Sequence, residues 1–243
     1  MPRIARIVLA GVPHHVTQRG NRRQDVFFSD GDRAAYLGWL AHYCRQFHLE
    51  VLAYCLMSNH VHLVIVPDSD HALERLLRPL HTRYAQRVNR GRGWTGHLWQ
   101  GRYFSSALDE RYLWAAMRYV ERNPVRASLV RRPEDYRWSS APAHCKLVDD
   151  YVLTRELRWL ELWNSVGDWS RWLSETDELH DVSVLRQNVE RGLPCGSDHF
   201  IAELERRAGI ALQPVRRGRP RNGDHRKRKR CASPLAFDTH VAV

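Results

Sequence analysis

The sequence predicts an α+β fold in which an antiparallel sheet is covered by helices and followed by a helical region and a basic tail. Short β-prone segments alternate with longer segments whose apolar residues recur at helical spacing. A Ser58-Asn59 turn separates two of the short segments. The charged composition from Gln213 onward is typical of a disordered chain.

The elements of the sheet and its helices follow one another in a regular order. Each is bounded by a turn signal, a proline or a helix cap, such as Asp109 before the last helix and Pro124 after it. Pro79 predicts a kink inside the second helix. In chain order we predict a strand at 13–19, a helix at 32–47, strands at 50–57 and 60–66, a helix at 71–89, a strand at 102–108 and a helix at 109–123.

The first six of these elements match a ferredoxin-like βαββαβ arrangement with an antiparallel sheet, and the helix at 109–123 is added to it. Residues 1–145 are therefore predicted to form the main domain. Residues 146–212 are rich in Trp and predicted to be helical, and residues 213–243 form a basic tail predicted to be disordered.

The charge of the chain points to a polyanionic partner. The formal net charge is +11, which favours nucleic acid or an anionic membrane surface. A spanning helix needs roughly 18–20 apolar residues, and no stretch approaches that length, so we expect no membrane partner. The five cysteines form no C-x-x-C pair, which is typical of reduced thiols and predicts a cytoplasmic location.

Two histidines on the strand at 60–66 are candidate metal ligands. His60 and His62 are two residues apart, so their side chains point to the same face of the sheet. This spacing suits two imidazole ligands of one divalent ion. The pair alone is equally compatible with two hydrogen-bonded histidines on a half-buried sheet.

Tyr119 and Asn123 are four residues apart near the end of the last predicted helix and therefore share a face. The side-chain carbonyl of Asn123 could supply a third metal ligand. A phenol is a poor nucleophile at neutral pH, because its usual pKa is about 10. A nearby cation that polarises a phosphate would make attack by Tyr119 feasible. The alternatives are a packing role for Tyr119 and competition from Tyr112.

Taken together, these segments resemble a known family. The stretches H-H-V-T-Q-R-G-N-R-R-Q-D-V-F-F (14–28), Y-C-L-M-S-N-H-V-H-L-V-I-V-P (54–67), G-H-L-W-Q-G-R-Y-F (96–104), Y-V-E-R-N-P-V-R-A-S-L-V (119–130) and Y-R-W-S-S (136–140) resemble the single-tyrosine HUH transposases. Within that family the chain is most similar to the REP-associated tyrosine transposases. The resemblance covers residues 1–145 well and continues more loosely at 196–205.

The resemblance implies a mechanism that spacing alone does not show. It implies that His60 and His62 hold Mg²⁺ or Mn²⁺ and that Tyr119 becomes joined to a 5′-phosphate of hairpin-flanked, single-stranded DNA. Many relatives carry Gln where Asn123 stands, one methylene longer. Relatives include both monomers and dimers that exchange the tyrosine helix, so a homodimer is an open alternative. A bacterial protein associated with the nucleoid is implied as well.

Basic and aromatic residues near these segments are candidates for DNA binding. The arginines could contact the phosphate backbone, and the aromatic residues could stack on unpaired bases. The tail holds nine Lys/Arg and one Asp between Arg216 and Arg230, including an R-G-R-P core similar to an AT-hook. It either reads a narrow minor groove or acts as a nonspecific tether. The candidates are Arg19, Arg22, Arg23, Trp94, Trp99, Arg102, Tyr103, Arg217 and Arg219.

Three functions are compatible with these features. The first is a transposase-type endonuclease and strand transferase. The second is a sequence-specific DNA-binding protein on the same scaffold without catalysis, although both histidines and the tyrosine are present. The third is an unrelated metallohydrolase that uses His60 and His62 and does not need Tyr119.

Overall fold

The computed structural model describes residues 7–210 and Leu212. The predictions for the tail, including Arg217 and Arg219, lie outside the described residues. The described chain contains a four-stranded sheet in the order β2-β3-β1-β4, in which every neighbouring pair is antiparallel. The predicted α+β fold with its antiparallel ferredoxin-like sheet is confirmed.

The sheet and its helices have the following bounds. The strands are β1 (His14–Arg19), β2 (Glu50–Leu56), β3 (His60–Val66) and β4 (Phe104–Ala107). The helices of the first part are α1 (Asp30–Gln46), α2 (Ala72–Arg92), α3 (Glu110–Glu121), α4 (Asn123–Arg126) and α5 (Ala141–His144). Those of the second part are α6 (Leu157–Asn164), α7 (Trp169–Ser174), α8 (Leu179–Arg191) and α9 (Asp198–Ala208).

The two faces of the sheet are covered by different helices. Val61, Leu63 and Ile65 of β3 pack in one hydrophobic cluster with residues of α1 and α2. Val64 and Val66 pack in a second cluster with residues of α3, α7 and α8. His60 and His62 belong to this second face by the alternation of the strand. The helical region after residue 146 therefore covers the face that carries the candidate metal ligands.

A buried carboxylate connects α3 to that helical region. Glu121 is fully buried and accepts hydrogen bonds from Ser140 Oγ at 2.5 Å and from Trp169 Nε1 at 2.8 Å. His144 Nδ1 lies 2.5 Å from the same carboxylate. Because a buried carboxylate without partners is costly, these contacts hold α5 and α7 against the end of α3.

Two predicted boundaries differ from the structure. The fourth strand begins at Phe104, so Arg102 precedes the strand instead of beginning it. The chain turns at Gly101, where φ is 128°, and the Gln18 side chain donates to the Gly101 carbonyl in place of a strand partner. The last predicted helix ends at Glu121, before Pro124, and Asn123 begins the separate short helix α4. Pro124 is accommodated in the first turn of α4, because backbone N–H groups there have no partner within the helix.

Within the described residues, no helix is both long enough and apolar enough to cross a membrane.

Candidate active site

A cleft of about 610 Å³ opens on the face of the sheet that carries His60 and His62. Both histidines line it, and their ring centroids are 4.9 Å apart. The cleft also brings in Tyr119 and Asn123, which are remote from the histidines in sequence. The four residues predicted to act together are thus assembled around one opening.

Both candidate ligands are kept neutral by their surroundings. Burial lowers the pKa of His60 to about 4, and the Arg19 guanidinium contributes to the shift. Burial also lowers the pKa of His62 well below its usual value, with His60, His15 and Arg126 adding to the effect. An unprotonated imidazole is the form that binds a metal ion.

One nitrogen of each of these rings already has a partner. His62 Nδ1 lies 2.9 Å from His15 Nε2, and His60 Nδ1 lies 2.5 Å from the Asn59 side-chain oxygen. Such contacts to the second nitrogen orient metal-binding histidines and leave Nε2 available. The residues present therefore fit a divalent ion held by the Nε2 atoms of His60 and His62.

The structure adds His15 to the site. It lies on β1 and is fully buried, and its ring is stacked on that of His62 with centroids 5.2 Å apart. Burial lowers the pKa of His15 to about 3. The sequence alone did not single out His15, because its contact with His62 depends on the register of β1 and β3, in which Thr17 pairs with His62. The alternation of side chains along β1, combined with this register, would have identified His15.

Asn123 is the candidate for the third metal ligand. It lines the cleft, and its side-chain nitrogen is buried without a hydrogen-bond partner among the described residues. Within the described residues, no group of three or more His, Cys, Asp and Glu side chains is placed to hold a metal ion. A three-ligand protein site built on His60 and His62 would therefore use a different type of side chain. Asn123 is one of the oxygen-bearing side chains that line this cleft, together with Thr17, Gln18 and Gln100.

Tyr119 lies on the buried side of α3 beside the histidines. Its ring centroid is 5.6 Å from that of His62 and 5.9 Å from that of His15. Tyr112, the competing tyrosine, does not line the cleft and packs in the core cluster on this face of the sheet. The geometry therefore distinguishes the two tyrosines and favours Tyr119.

Two arginines contact Tyr119, and sequence reasoning identified neither. The Arg126 guanidinium lies over the tyrosine ring at 4.0 Å from its centroid and is held by Asp177 at 3.1 Å. Arg126 also donates to the Tyr119 backbone carbonyl. Arg186 of α8 donates from Nε to the Tyr119 hydroxyl over 3.3 Å. Arg126 lies in α4, inside the stretch at 119–130, but no role was predicted for it. Arg186 carries no local motif, because it reaches the site only when α8 packs on α3.

The structure places only some of the predicted DNA-binding arginines in the cleft. Arg19 and Arg23 line the cleft. A Cβ at Gly20 would lie 2.1 Å from the Gln24 carbonyl oxygen, so the turn between these arginines requires glycine. Arg22 is exposed but is not part of the cleft. Arg102 is also exposed and lines a separate groove beside α2.

Of the three aromatic residues predicted to stack on bases, Trp99 and Tyr103 are largely buried. Trp99 is 8% exposed, packs in the core against α1 and α2, and donates from its indole N–H to the His81 carbonyl. Tyr103 is 9% exposed and belongs to the same cluster. Little of either ring is exposed, although both residues line the groove beside α2 that also contains Arg102. Trp94, by contrast, is 41% exposed.

Residues 10–123 match the family model described as IS200-like transposases. The chain is also similar to a solved REP-associated tyrosine transposase bound to a REP hairpin, at 17% identity and a TM-score of 0.51, over 65% of this chain and 99% of that one. A candidate transposase from Deinococcus radiodurans aligns at 20% identity and a TM-score of 0.36, over 49% of this chain and 96% of that one. No curated protein matches the chain. The family match ends at Asn123, so Arg126 and Arg186 lie beyond it.

Proposed function

We propose that this chain, in which residues 10–123 form an IS200-like transposase domain, nicks single-stranded DNA beside a hairpin and transfers the strand through a phosphotyrosine intermediate. The observation that carries the proposal is the placement of Tyr119 within one cleft with His60 and His62. The similarity to a transposase bound to a REP hairpin supports hairpin DNA as the substrate class. We place the activity in the bacterial cytoplasm, at the nucleoid, because the substrate is DNA.

In the proposed reaction, the Tyr119 oxygen attacks the scissile phosphorus. A bond forms between this oxygen and the 5′-phosphate, the bond to the 3′ oxygen breaks, and the 3′-hydroxyl leaves after taking up a proton. The phenolic proton is released to solvent. Attack by a 3′-hydroxyl on the phosphotyrosine reverses the step and joins DNA. No nucleotide cofactor is needed, because the phosphotyrosine bond retains the energy of the phosphodiester bond that was broken.

Protein groups in the cleft supply positioning and charge. Arg186 donates to the Tyr119 hydroxyl, so its guanidinium stabilises negative charge that develops on that oxygen. Arg126 lies over the ring and limits its rotation. Arg19 and Arg23 line the same cleft and can contact the phosphates on either side of the scissile bond.

The proposed cofactor is Mg²⁺ or Mn²⁺, held by His60 and His62 with Asn123 as the third protein ligand. A divalent ion there acts as a Lewis acid on the scissile phosphate. His15 maintains the orientation of His62 through the contact between Nε2 and Nδ1.

The residues of the proposed site lie in one cleft of a single chain. Tyr119 of the chain lies beside His62 of the same chain, with ring centroids 5.6 Å apart. Exchange of the tyrosine helix between two subunits is therefore not required to assemble the site in this conformation. A homodimer that keeps each site within its own subunit is compatible with this arrangement.

The experiment that tests the proposal is capture of a covalent adduct. The protein is incubated with Mn²⁺ and a labelled single-stranded hairpin oligonucleotide, and the denatured mixture is separated by gel electrophoresis. We expect an adduct in the parent protein and in the matched control Tyr112→Phe, and none in Tyr119→Phe.

Other outcomes identify the competing functions. Tight binding of the hairpin without any adduct supports a DNA-binding protein without catalysis. An adduct that survives in Tyr119→Phe and disappears in Tyr112→Phe moves the nucleophile to Tyr112. Metal-dependent hydrolysis of another substrate, with Tyr119→Phe fully active, supports the metallohydrolase.

A further inference from the structure

A second concave surface lies on the opposite side of the sheet from the candidate active site. It is a groove of about 900 Å³ beside α1 and α2, which pack with Val61, Leu63 and Ile65 of β3. It shares no lining residue with the cleft that contains Tyr119. The residues that define this α1–α2 groove include Phe28, Asp32, Trp39, Arg83, Arg87, Arg90, Arg92 and Trp94.

The groove carries an excess of positive charge. Four of its lining residues are arginines and one, Asp32, is acidic. Asp32 is already engaged, because it accepts from the Phe28 backbone N–H at 3.2 Å and lies 3.5 Å from Arg87. In the part of the chain that the structure describes, no carboxylate pairs with Arg83, Arg90 or Arg92. The groove therefore holds three arginines whose charge is not neutralised locally.

Aromatic rings hold two of these guanidinium groups in place. Arg92 Cζ lies 3.5 Å from the Phe28 ring centroid and 5.2 Å from that of Trp94. Arg83 Cζ lies 4.9 Å from the centroid of Trp39. A guanidinium that lies over a ring keeps its N–H groups at the edge, where they can donate to phosphate oxygens. Trp94, at 41% exposed, also offers a ring surface to a base.

The groove lies next to the turn that leads into the candidate active site. The backbone N–H groups of Val26 and Phe27 both donate to the Ser58 carbonyl, at 2.8 and 3.0 Å. Phe28, at the edge of the groove, is thus tethered to the turn that precedes His60.

We propose that the α1–α2 groove binds a single-stranded DNA segment that flanks the hairpin, with its phosphates on Arg83 and Arg92 and an unpaired base on Trp94. Arginines that track a backbone, together with exposed aromatic rings, are the features by which proteins bind unpaired strands. In a duplex the faces of each base are covered by the neighbouring bases, so no base face is free to stack on Trp94. The inference rests on the proposed function for its choice of DNA and adds a second contact region to it.

The test compares two labelled oligonucleotides in full-length protein carrying Tyr119→Phe, which prevents cleavage. One is the bare hairpin and the other carries single-stranded flanks. Fluorescence anisotropy measures the affinity for each. We expect the flanks to raise affinity about tenfold or more, and both Arg83→Ala/Arg92→Ala and Trp94→Ala to abolish most of this gain without changing affinity for the bare hairpin.

Two further measurements separate a bound strand from a general effect of charge. Loss of two phosphate contacts lowers the salt slope of binding to the flanked oligonucleotide by about 1.4, since each single-strand contact contributes about 0.7. Trp94→Phe keeps a ring for stacking and is expected to retain most of the gain. The matched control is Arg45→Ala, an exposed arginine of α1 that does not line the groove.

The possible failures are distinguishable. If the groove variants bind the flanked oligonucleotide like their parent, the inference is overturned, while adduct formation through Tyr119 would leave the proposed function intact. If double-stranded flanks give the same gain with the same sensitivity to Trp94→Ala, the assignment to an unpaired strand is wrong. Absence of binding to any DNA overturns both the inference and the proposed function.

Discussion

Arg186 donates a hydrogen bond from Nε to the hydroxyl of Tyr119 over 3.3 Å, although the two residues are separated by 67 positions in the sequence. Tyr119 lies inside the segment that matches the transposase family model, whereas Arg186 lies in α8, well beyond its end. The C-terminal helices therefore supply a charged group to the candidate nucleophile in addition to covering the sheet.

Replacement of Arg186 is expected to slow formation of the covalent adduct. A hydrogen bond to a charged group contributes about 1.5–3 kcal/mol, so Arg186→Ala should lower the rate about 10–100-fold with a much smaller change in hairpin affinity. Single-turnover adduct kinetics and an anisotropy titration measure the two quantities. Arg191→Ala, on the same helix but outside the cleft, is the control. Equal losses in binding and rate would instead identify Arg186 as a DNA contact.

Replacement of His15 is expected to weaken metal binding before any DNA is added. The contact between His15 Nε2 and His62 Nδ1 orients the ring, and loss of such a partner usually costs 10–100-fold in metal affinity. Calorimetric titration of Mn²⁺ into His15→Ala should show this loss, and His15→Gln should recover part of it because an amide oxygen can accept from His62. The control is the exposed His180→Ala. Unchanged affinity in His15→Ala would exclude a positioning role.

Removal of the buried carboxylate of Glu121 is expected to destabilise the fold. Glu121→Ala leaves the partner groups on Ser140, His144 and Trp169 without their acceptor, and breaking a buried charged network typically costs about 3–5 kcal/mol. Urea unfolding monitored by Trp fluorescence measures the free energy of unfolding. Glu110→Ala, an exposed glutamate of the same helix, should change it little. A loss below about 1 kcal/mol would mean that the network is not needed for stability.

Stability should fall at mildly acidic pH in part because of His81. Burial lowers its pKa to about 3, and its ring contacts the Tyr36 hydroxyl at 3.1 Å. In the unfolded chain His81 binds a proton below pH about 6.5, whereas in the folded chain it stays neutral until the pH approaches 3. The contribution of His81 to the free energy of unfolding is therefore fully present above pH about 6.5 and is lost as the pH falls from there towards 3.

The corresponding measurement is urea unfolding at pH 7 and pH 5. His81 alone should account for a loss of about 2 kcal/mol between these values, and His81→Gln should remove that part of the pH dependence. The exposed His42→Gln serves as the control for loss of an imidazole. An unchanged difference between the two pH values in His81→Gln would show that the folded state protonates His81 without cost.

Local pattern was sufficient for most of the sheet. The alternation along β3 correctly separates Val61, Leu63 and Ile65 from the face that carries His60 and His62. The same reasoning misplaced the start of β4, because pairing with β1 determines where an edge strand begins. It did not show that the proposed stacking residues Trp99 and Tyr103 are largely buried, since composition does not show how exposed an aromatic residue near a basic segment is.

The sequence by itself determined the chemistry available to this protein: two histidines on one strand face, a tyrosine and an asparagine four residues apart, and an excess of arginine. The shared face of the two histidines follows from the alternation of side chains along a strand, which depends only on residues close together in the sequence. Only the tertiary structure decided that His15 contacts His62, that Arg186 contacts Tyr119, and that arginines and aromatic rings meet in the α1–α2 groove. Those contacts depend on strand register and on the packing of distant helices, which are set by burial of the whole core and leave no periodic signal in the local sequence.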